Sequence, residues 1–504
     1  MSSKPIRFLL NDEELSLEGV NPNTTLLQYL RAKRGKTGTK EGCASGDCGA
    51  CTVVLASPSK SGQLEYKSVN SCITLLPSVH AKHVISVEGL ASDAGLHAVQ
   101  DSMVKHHGSQ CGLCTPGFIM SMFALSKKHP SPSREQTLEA LSGNLCRCTG
   151  YRSIVDAAVK LETQSDHFDL KSNECLTKLN AIVQDSTESI ELSADGCRAF
   201  APKSIDELSD LIAAHPDAKL VAGGTDLSLQ ITQNLHQFDT LISTSHVAEL
   251  VEIENTDAGL RIGSAASYSE FSHLIATLYP EWGAMIERLG SQQVRNLGTL
   301  GGNIANASPI GDMPPVLIAV GASLCLRLGS NTREIAAQDF FVDYKVTALQ
   351  QGEFIESIFI PKHASSLKLK VYKVSKRFDD DISAVLAAIA LQIDDGLVSQ
   401  ARIAFGGMAA TPKRALHCES ALINQSWSSE VVEQAAAQLE NDFTPLSDAR
   451  ASSSYRLSLA KNLLQRAYIE ISEPETLTQV NASSARSSIH DLDKSSSSKD
   501  SSNA

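Results

Sequence analysis

Eight cysteines arranged in two sets of four constrain this chain more than any other feature of its sequence. The first set has the spacing C-x4-C-x2-C with a more distant fourth cysteine, and the second joins a C-x2-C pair to a C-x-C pair. The two sets are Cys43, Cys48, Cys51 and Cys72, followed by Cys111, Cys114, Cys146 and Cys148. Sets of four cysteines at close spacing are typical of metal centres or of disulfide frameworks.

The spacing of the first set indicates a [2Fe–2S] cluster, because it is the plant-type pattern. A loop that wraps such a cluster must point three thiolates and several backbone N–H groups inward, where the anionic sulfides accept hydrogen bonds. Gly42, Gly46 and Gly49 allow the small size and the positive φ angles that this loop requires. For the second set, the spacing alone leaves iron–sulfur and zinc equally open, since paired thiolates also form tetrahedral zinc sites.

The rest of the sequence disfavours disulfides and several classes of function. Ser2 to Pro5 does not resemble a secretory signal, so a reducing compartment is expected. No apolar run approaches the roughly eighteen residues of a membrane helix, and the chain is expected to be cytoplasmic. The net charge of −13 argues against a nucleic-acid-binding protein, which needs a basic face.

The N-terminal region is predicted to form a small α+β sheet. Apolar residues alternate or cluster over 6–10 and 15–20 on either side of a turn, which indicates a β-hairpin. A helix is predicted over 24–34, and strands are predicted over 52–55 and 72–76. This combination is typical of ferredoxin-like domains.

Residues 92–161 are predicted to form four short helices. Amphipathic patterns occur over 96–104, 118–126, 137–141 and 154–161. Each cysteine pair of the second set therefore lies where a loop meets a helix, and unpaired N–H groups at a helix start stabilise thiolates. Residues 162–195 are polar and sparsely patterned, so they are interpreted as a surface linker.

A second chemical region begins where a short apolar strand runs into two adjacent glycines. Such a turn presents successive N–H groups to a phosphate, although an ordinary strand-to-helix turn uses the same residues. The residues of this turn are Leu220, Val221, Ala222, Gly223, Gly224, Thr225, Asp226 and Leu227. Residues 293–312 are rich in glycine and asparagine, which predicts an irregular backbone lying against a polar ligand. No G-x-G-x-x-G motif follows a strand, so a Rossmann site is not supported.

The C-terminal third combines an apolar run, helical patterns and a polar tail. The charge cluster from Lys376 to Asp381 is, by itself, interpreted as a solvated turn. Helices are predicted over 431–439 and 457–471. Serine dominates after Glu475, and such a composition predicts a disordered tail.

Together these motifs resemble the molybdenum hydroxylase family. The resemblance rests on the two cysteine sets, on residues 110–117 and 143–151 around the second set, and on residues 222–226 and 301–312. It covers residues from about 5 to about 475 and is greatest to the iron–sulfur and FAD subunits of bacterial xanthine dehydrogenases. The resemblance implies a [2Fe–2S] cluster in the second set as well. It also implies that this cluster lies nearer the molybdenum cofactor and that the first lies nearer FAD.

By the same resemblance, the turn over 220–227 would hold the FAD pyrophosphate. The residues implied on the other side of FAD are Gly301, Gly302, Asn303, Asn306 and Asp312. The residues implied beside the flavin ring, where NAD+ would accept hydride, are Lys373, Arg377, Asp379 and Asp380. Leu289 departs from the vertebrate pattern, which has an aromatic residue near the flavin, so the residue that stacks on the flavin is not identified.

The resemblance implies an α+β multidomain fold. Its parts are a ferredoxin-like β-grasp domain (1–88), a four-helix [2Fe–2S] bundle (89–165), a linker (166–195), an α+β FAD-binding domain (196–365), an α+β C-terminal domain (366–474) and the disordered tail (475–504).

These parts do not include a domain that binds molybdopterin. The resemblance therefore implies the electron-transfer subunit of a xanthine dehydrogenase, bound to a large molybdopterin-binding subunit in a dimer of heterodimers. Electrons from hypoxanthine or xanthine would pass through two clusters to FAD and then to NAD+, and no residue for substrate hydroxylation is expected in this chain. Two alternatives stay open: an aldehyde or another N-heterocycle as the partner's substrate, and a zinc-stabilised interaction scaffold.

Overall fold

A five-stranded sheet forms the N-terminal domain, and its strands lie in the order β2-β1-β5-β3-β4. The computed structural model describes residues 5–93, 95–162, 165–185, 189–363 and 366–478. The elements of this domain are β1 (Ile6–Leu10), β2 (Glu13–Leu17), α1 (Leu26–Gln28), β3 (Thr52–Pro58), β4 (Leu64–Asn70) and β5 (His83–Ile85). Helix α1 is capped by Thr25 and continues as a π-helical turn, Tyr29–Lys33. The predicted hairpin is confirmed, because β1 and β2 pair in antiparallel register.

The strand predicted over 72–76 is wrong. Strand β3 pairs instead with β4, and the chain turns at Cys72 before a 3₁₀ turn, Leu76–Val79. The turn is fixed by Ser71, whose N–H and hydroxyl both donate to the carbonyl oxygen of Cys51. Apolar residues from Ile73 to Leu76 are fully buried in this turn, and such a short apolar run cannot be distinguished from a buried strand by periodicity.

Four helices form the second domain, as the sequence predicts. They are α2 (Ala98–Lys105), α3 (Thr115–Lys128), α4 (Arg134–Leu141) and α5 (Arg152–Val159). Helix α3 is buried along ten consecutive residues, from Gly117 to Ser126, because it packs on β3 and β4 as well as on α2 and α4. It therefore joins the second domain to the first.

The linker expected over 166–195 contains two helices, α6 (His167–Leu170) and α7 (Ser172–Asp185), followed by a strand, β6 (Ile190–Ala194). Helix α7 packs against β1 and β3 and buries Leu179 and Ile182 completely. Most of its surface is polar, so only this narrow apolar stripe marks it as a packed helix.

The third domain contains a four-stranded and a five-stranded sheet, with strand orders β6-β7-β9-β8 and β10-β11-β16-β12-β13. Its further strands are β7 (Cys197–Ala201), β8 (Lys219–Val221), β9 (Thr240–Ser243), β10 (Ile253–Asn255), β11 (Gly259–Gly263), β12 (Ser323–Leu328), β13 (Asn331–Ala336), β14 (Phe341–Asp343), β15 (Val346–Thr347) and β16 (Phe354–Pro361). Its helices are α8 (Ile205–Ala214), α9 (Leu227–Thr232), α10 (Tyr268–Leu278), α11 (Pro280–Glu287), α12 (Gln292–Arg295), α13 (Leu300–Ala305) and α14 (Met313–Ala319).

The irregular backbone predicted over 293–312 is wrong. This stretch contains most of α12 and all of α13, whose starts are capped by the hydroxyl groups of Ser291 and Thr299. Gly301 allows α13 to pack closely against the residue that follows β11: a Cβ atom on Gly301 would lie 2.4 Å from the Cβ atom of Ser264. The glycine-rich composition of this stretch therefore did not indicate α12 and α13.

The C-terminal domain is an antiparallel sheet, β17-β18-β19-β20, with helices on one face. Its elements are β17 (Leu367–Val374), β18 (Val385–Asp394), β19 (Leu397–Gly406), β20 (Lys413–Arg414), α15 (Leu416–Leu422), α16 (Ser429–Ala437), α17 (Leu439–Asp442) and α18 (Ser453–Ser472). Alternate residues of β18 face the core shared with the third domain or the core of this domain. Both faces of β18 are thus buried, which explains the uniform apolar run of its sequence.

The predicted tail over 475–504 lies almost entirely outside the described residues, which end at Thr478. In the described ranges, no helix is both long enough and apolar enough to span a membrane.

Candidate functional site

The first cysteine set converges on one point beside the N-terminal sheet. The thiols of Cys48 and Cys72 lie beside that of Cys43, and the Cys51 thiol lies beside that of Cys72. Cys51 and Cys72 are almost fully buried, whereas Cys43 and Cys48 are half-buried. The backbone N–H of Ser45 also donates to the Cys43 sulfur, at 3.4 Å. The loop thus directs thiols and an amide inward, as a cluster requires.

The glycines of this loop act in two different ways. Gly46 and Gly49 have φ angles of +83° and +68°, which favour glycine. Gly42 instead provides space, because a Cβ atom there would lie 2.8 Å from the Cys48 sulfur. Gln233, at the end of α9, donates hydrogen bonds to the carbonyl oxygens of Cys43 and Ala44, so the third domain closes over the loop.

The second cysteine set converges at the surface of the helical domain. The thiol of Cys114 lies beside that of Cys146, and the thiol of Cys111 lies beside that of Cys148. Cys114 caps the start of α3, where Pro116 occupies the first turn as the sequence predicts. The Thr149 hydroxyl donates to the Cys146 sulfur at 3.1 Å. Cys111 and Cys148 are exposed, so this site is open on one side.

Each set provides four cysteines, which is the number of thiolates that a [2Fe–2S] cluster distributes over its two metal ions.

A cavity of about 680 Å³ lies between the third domain, the C-terminal domain and the first cysteine loop. This volume is within the range of about 300–1,000 Å³ that is typical of small-molecule and cofactor sites. All residues of the predicted turn 220–227 line it, as do Gly301, Gly302, Asn303, Asn306, Asp312, Lys373, Arg377 and Asp380. Of the residues named for FAD and NAD+ in the sequence analysis, only Asp379 does not line the cavity.

The turn after β8 is shaped for an anionic group. Strand β8 ends at Val221 and α9 begins at Leu227, which confirms the predicted strand-to-helix turn. Gly224 has a φ angle of +69°, and a Cβ atom on Gly223 would lie 1.8 Å from the carbonyl oxygen of Leu297. The N–H groups from Gly223 to Asp226 donate to no other backbone group of the described chain. They are therefore available to a phosphate group.

Two polar atoms in the cavity wall lack a protein partner. The Tyr268 hydroxyl and the Asn303 Oδ1 atom are buried, and neither has a hydrogen-bond partner among the described residues. Burial also raises the pKa of Tyr268, so its hydroxyl stays a neutral donor. Buried polar groups are usually hydrogen-bonded. A polar ligand such as FAD would satisfy both, and the cavity fits this cofactor on volume, backbone and polar groups.

Charged groups are concentrated at the end of the cavity that faces the C-terminal domain. Lys373 forms a buried ion pair with Asp312, with 2.6 Å between Nζ and Oδ2, and the Ser383 hydroxyl donates to the same carboxylate. A buried pair of this kind fixes the position of both side chains, because separating them would leave an unpaired charge. The ammonium group of Lys373 is therefore held at the cavity wall.

The loop after β17 forms the mouth of the cavity, and contacts with Arg288 hold it in place. Its guanidinium group lies 4.3 Å from the centre of the Phe378 ring and donates to the carbonyl oxygens of Lys373 and Phe378. Asp380 is half-buried in this loop. Burial, together with the carboxylate of Asp47, raises the pKa of Asp380 to about 6. The loop is thus an ordered structure and not only the solvated turn that its charges indicate.

Sequence reasoning missed several residues of the cavity. They include Asp47, Ser264 and Tyr268. Asp47 lies in the first cysteine loop, far in sequence from the other residues of the cavity, and the other two belong to ordinary apolar or polar stretches. Leu289, which the sequence analysis singled out as a departure from the vertebrate pattern, also lines the cavity.

Four family models match this chain in sequence order. They are a 2Fe-2S iron–sulfur cluster binding domain (residues 8–76), a [2Fe-2S] binding domain (86–159), a FAD binding domain in molybdopterin dehydrogenase (194–363) and a CO dehydrogenase flavoprotein C-terminal domain (370–471). With the two cysteine sites and the cavity, these matches define an iron–sulfur flavoprotein that carries two [2Fe–2S]-binding domains and one FAD-binding domain.

The chain belongs to the molybdenum hydroxylase family, of which it carries the iron–sulfur and flavin part. It is 32% identical to a xanthine dehydrogenase of Emericella nidulans over 97% of this chain and 40% of that protein. A carbon monoxide dehydrogenase structure from Hydrogenophaga pseudoflava has a TM-score of 0.51 at 28% identity, over 53% of this chain and 94% of that chain. A quinoline 2-oxidoreductase from Pseudomonas putida 86 has a TM-score of 0.50 at 28% identity, over 54% and 94%.

The chain spans about 36–41% of the length of the curated xanthine dehydrogenases that it matches.

Proposed function

We propose that this chain is the electron-transfer part of a purine-oxidising molybdenum hydroxylase. In this proposal a large molybdopterin-binding partner oxidises hypoxanthine or xanthine, NAD+ is the final acceptor, and the complete assembly is a dimer of heterodimers. The similarity to xanthine dehydrogenase over 97% of this chain supports the choice of substrate. When bound, the two clusters supply single-electron chemistry and FAD supplies both single-electron and hydride chemistry.

The observation that carries the proposal is the order in which the chain arranges its three sites. The second cysteine loop contacts the first through a hydrogen bond from the Leu145 N–H to the Cys48 carbonyl oxygen, at 3.0 Å. The first loop in turn contributes Asp47 to the wall of the cavity. The surface of the helical domain is thus connected to the cavity through two adjacent cysteine loops, as an electron path requires.

The surface beside the second site has the character of a partner interface. Leu113, Leu145 and Tyr151 are 51%, 46% and 39% exposed, next to the exposed Cys111 and Cys148. Apolar side chains grouped on a surface mark sites of protein association. We assign this face to the molybdopterin-binding partner.

The charged groups at the cavity mouth give the acceptor site its specificity. Lys373 and Arg377 provide positive charge, and Asp380 and Asp381 oppose it across the same opening. Such a balance tunes both the stabilisation of negative charge in the cavity and the attraction of a phosphorylated acceptor. Asp379 belongs to the same loop, outside the cavity wall.

The first test is the cofactor content of the purified chain. We expect about four irons, about four acid-labile sulfides and about one FAD per chain, with the visible absorption of iron–sulfur clusters. The chain reconstituted with its partner is then expected to reduce NAD+ with hypoxanthine or xanthine, and the Cys43→Ser variant is expected to lose this activity. Zinc without flavin, or full NAD+ reduction by Cys43→Ser, would contradict the proposal.

A second candidate is the same electron-transfer role beside a partner that oxidises an aldehyde or another N-heterocycle. The structural similarity to a quinoline 2-oxidoreductase favours this alternative over functions of other classes. The reconstituted assembly distinguishes the two candidates, because purines, aldehydes and quinoline can be compared as electron donors in the same NAD+ assay.

A further inference from the structure

Three domains meet at a small group of buried polar side chains. Gln293 of α12, Asn144 and Ser121 of the helical domain, and Thr52 at the start of β3 are each at most 2% exposed. We call this group the amide junction. It lies beside both cysteine loops, because Thr52 follows Cys51 and Asn144 lies two residues before Cys146.

Gln293 contacts every other member of the amide junction. Its Nε2 atom lies 3.0 Å from Asn144 Oδ1, 3.1 Å from Ser121 Oγ and 3.4 Å from Thr52 Oγ1. The Asn144 amide donates in turn to the carbonyl oxygen of Gly49, at 3.0 Å. One side chain of the FAD-binding domain thus reaches both loops, directly or through a single neighbour.

The backbones around the amide junction are packed without space for side chains. A Cβ atom on Gly49 would lie 2.4 Å from the carbonyl oxygen of Gly143, and one on Gly117 would lie 2.1 Å from that of Gly49. A Cβ atom on Gly143 would lie 2.3 Å from the Cβ atom of Ser291, at the start of α12. The relative position of the two loops and α12 is therefore closely fitted.

Stability alone does not explain a glutamine at this position. The Oε1 atom of Gln293 is buried and has no hydrogen-bond partner in the described part of the chain. An unpaired buried carbonyl group is unfavourable, and an apolar side chain of similar length would avoid it. The glutamine amide instead fixes the relative orientation of the domains, because it hydrogen-bonds to specific acceptors on two other domains.

We propose that Gln293 is a positioning residue that fixes the two cysteine loops against each other and against the FAD-binding domain. It thereby sets the separation across which electrons pass, and it maintains the hydrogen bond from Leu145 to Cys48 that connects the loops. This inference rests on the proposed electron-transfer function.

The test uses the full chain with its cofactors and the Gln293→Met variant. The magnetic interaction between the two reduced clusters, measured by electron paramagnetic resonance, reports their relative position whatever the final acceptor is. We expect this interaction to be weaker in Gln293→Met than in the wild type, while the iron, sulfide and flavin contents stay at the wild-type level. Electron redistribution after flash photoreduction is expected to slow, because the rate of electron transfer falls as the separation of two redox centres increases.

Asn296 provides a matched control. Its side chain is also a buried amide in the same segment, but it donates to the carbonyl oxygen of Ser68 in β4 and touches neither cysteine loop. We expect Asn296→Leu to lower the melting temperature without changing the magnetic interaction. An equal change of the magnetic interaction in both variants would show a general effect of domain docking and would overturn the proposal.

A second variant keeps the test decisive if Gln293→Met does not assemble. Ser121→Ala removes one acceptor of the Gln293 amide and one donor to Asn144 Oδ1, but keeps the bond between Gln293 and Asn144, so a smaller change in the same direction is expected. Wild-type magnetic interaction in each variant that assembles would overturn the proposal. A wild-type chain that contains both clusters but transfers no electrons to FAD would instead contradict the proposed function and leave the positioning result interpretable.

Discussion

The two cysteine sites differ in how far the fold encloses them. The first site lies between the N-terminal sheet and the FAD-binding domain, with Cys51 and Cys72 buried and Gln233 closing the loop from outside. The second site lies at the surface, with Cys111 and Cys148 exposed. The two sites thus have the same number of cysteines, but the cysteines of the first site are less exposed than those of the second.

In the proposed function, this difference gives the two sites separate tasks, since one site lies next to the cavity and the other lies at the surface. An enclosed site next to the cavity is protected from solvent and from unrelated redox partners. An exposed site can meet a partner protein at short distance. The enclosed site depends on packing between domains, whereas the exposed site depends mainly on its own two loops and the helices that follow them.

Loss of one ligand from each site should produce the largest difference. We expect Cys51→Ser and Cys148→Ser each to remove about half of the iron. In the chain without iron, where neither variant loses a bound cluster, Cys51→Ser should lower the free energy of unfolding by about 2–4 kcal/mol, because it leaves a polar group and unfilled space in a buried core. Under the same conditions Cys148→Ser should change this free energy by only about 0.5 kcal/mol, since the side chain is exposed. Iron quantification and urea unfolding measure both effects, and equal losses of stability would contradict the comparison.

Charges placed beside the second site should weaken binding of the proposed partner. We expect the double variant Leu113→Asp and Leu145→Asp to bind the proposed molybdopterin-binding partner about 10- to 100-fold more weakly, because buried apolar contacts at an interface centre are worth about 1–3 kcal/mol. Calorimetric titration measures the change. Leu235→Asp is the control, since this leucine is 84% exposed but belongs to the FAD-binding domain. The same affinity in all three proteins would exclude this face as the interface.

The first site should influence the cavity through Asp47 and Asp380. Burial and the Asp47 carboxylate raise the pKa of Asp380 to about 6, above its unfolded value of about 4. The folded state therefore favours protonated Asp380, and this contribution to stability is present below about pH 4 and lost as the pH rises through about 6. We expect Asp380→Asn to become more stable than the wild type over this window, by about 1–2 kcal/mol at pH 7, allowing for the partial exposure of this carboxyl.

Asp381 is the control of opposite sign for this pH dependence. Burial acts to raise its pKa, but hydrogen bonds from the Arg377 N–H and guanidinium groups lower it overall. The stability that Asp381 contributes is present above its unfolded pKa and is lost as the pH falls below about 4. Urea unfolding of Asp380→Asn, Asp381→Asn and the wild type at a series of pH values measures both contributions. Parallel pH profiles for Asp380→Asn and the wild type would contradict the prediction.

The smallest difference concerns hydrogen bonds to the sulfur ligands. The second site receives one from the Thr149 side chain, whereas the first receives one from the backbone of Ser45. We expect Thr149→Val to lower the potential of the second cluster by about 20–60 mV, which corresponds to one hydrogen bond. Ser109→Ala is the control and should leave the second potential unchanged, because the Ser109 hydroxyl bonds that of Thr115. Redox titrations followed by electron paramagnetic resonance measure both potentials.

Local signals in the sequence predicted the parts of this structure that depend on local geometry. Cysteine spacing, the hairpin of β1 and β2, and the turn over 220–227 all follow from residue types at fixed offsets. The segments over 72–76 and 293–312 were predicted wrongly, because their structure depends on contacts with distant residues such as Cys51 and Ser264.

The candidate site shows the same division. Residues of the turn and of the glycine-rich stretch were identified, but Asp47 and Tyr268 enter the cavity only when separate domains pack together. The amide junction could not be predicted for the same reason, since nothing in the sequence around Gln293 indicates which residues its side chain meets. Tertiary placement, and not residue type, determines these roles.

The contact from Gln233 to the first cysteine loop has a consequence for biogenesis. With Gln233 bonded to the backbone of Cys43 and Ala44, only Cys43 and Cys48 of the four cysteines keep partial exposure. Maturation should therefore follow a fixed order, in which iron and sulfide are delivered to the first loop before the flavin domain docks. A chain that folds without iron would close over an empty loop, and iron supplied afterwards would require the domains to separate again.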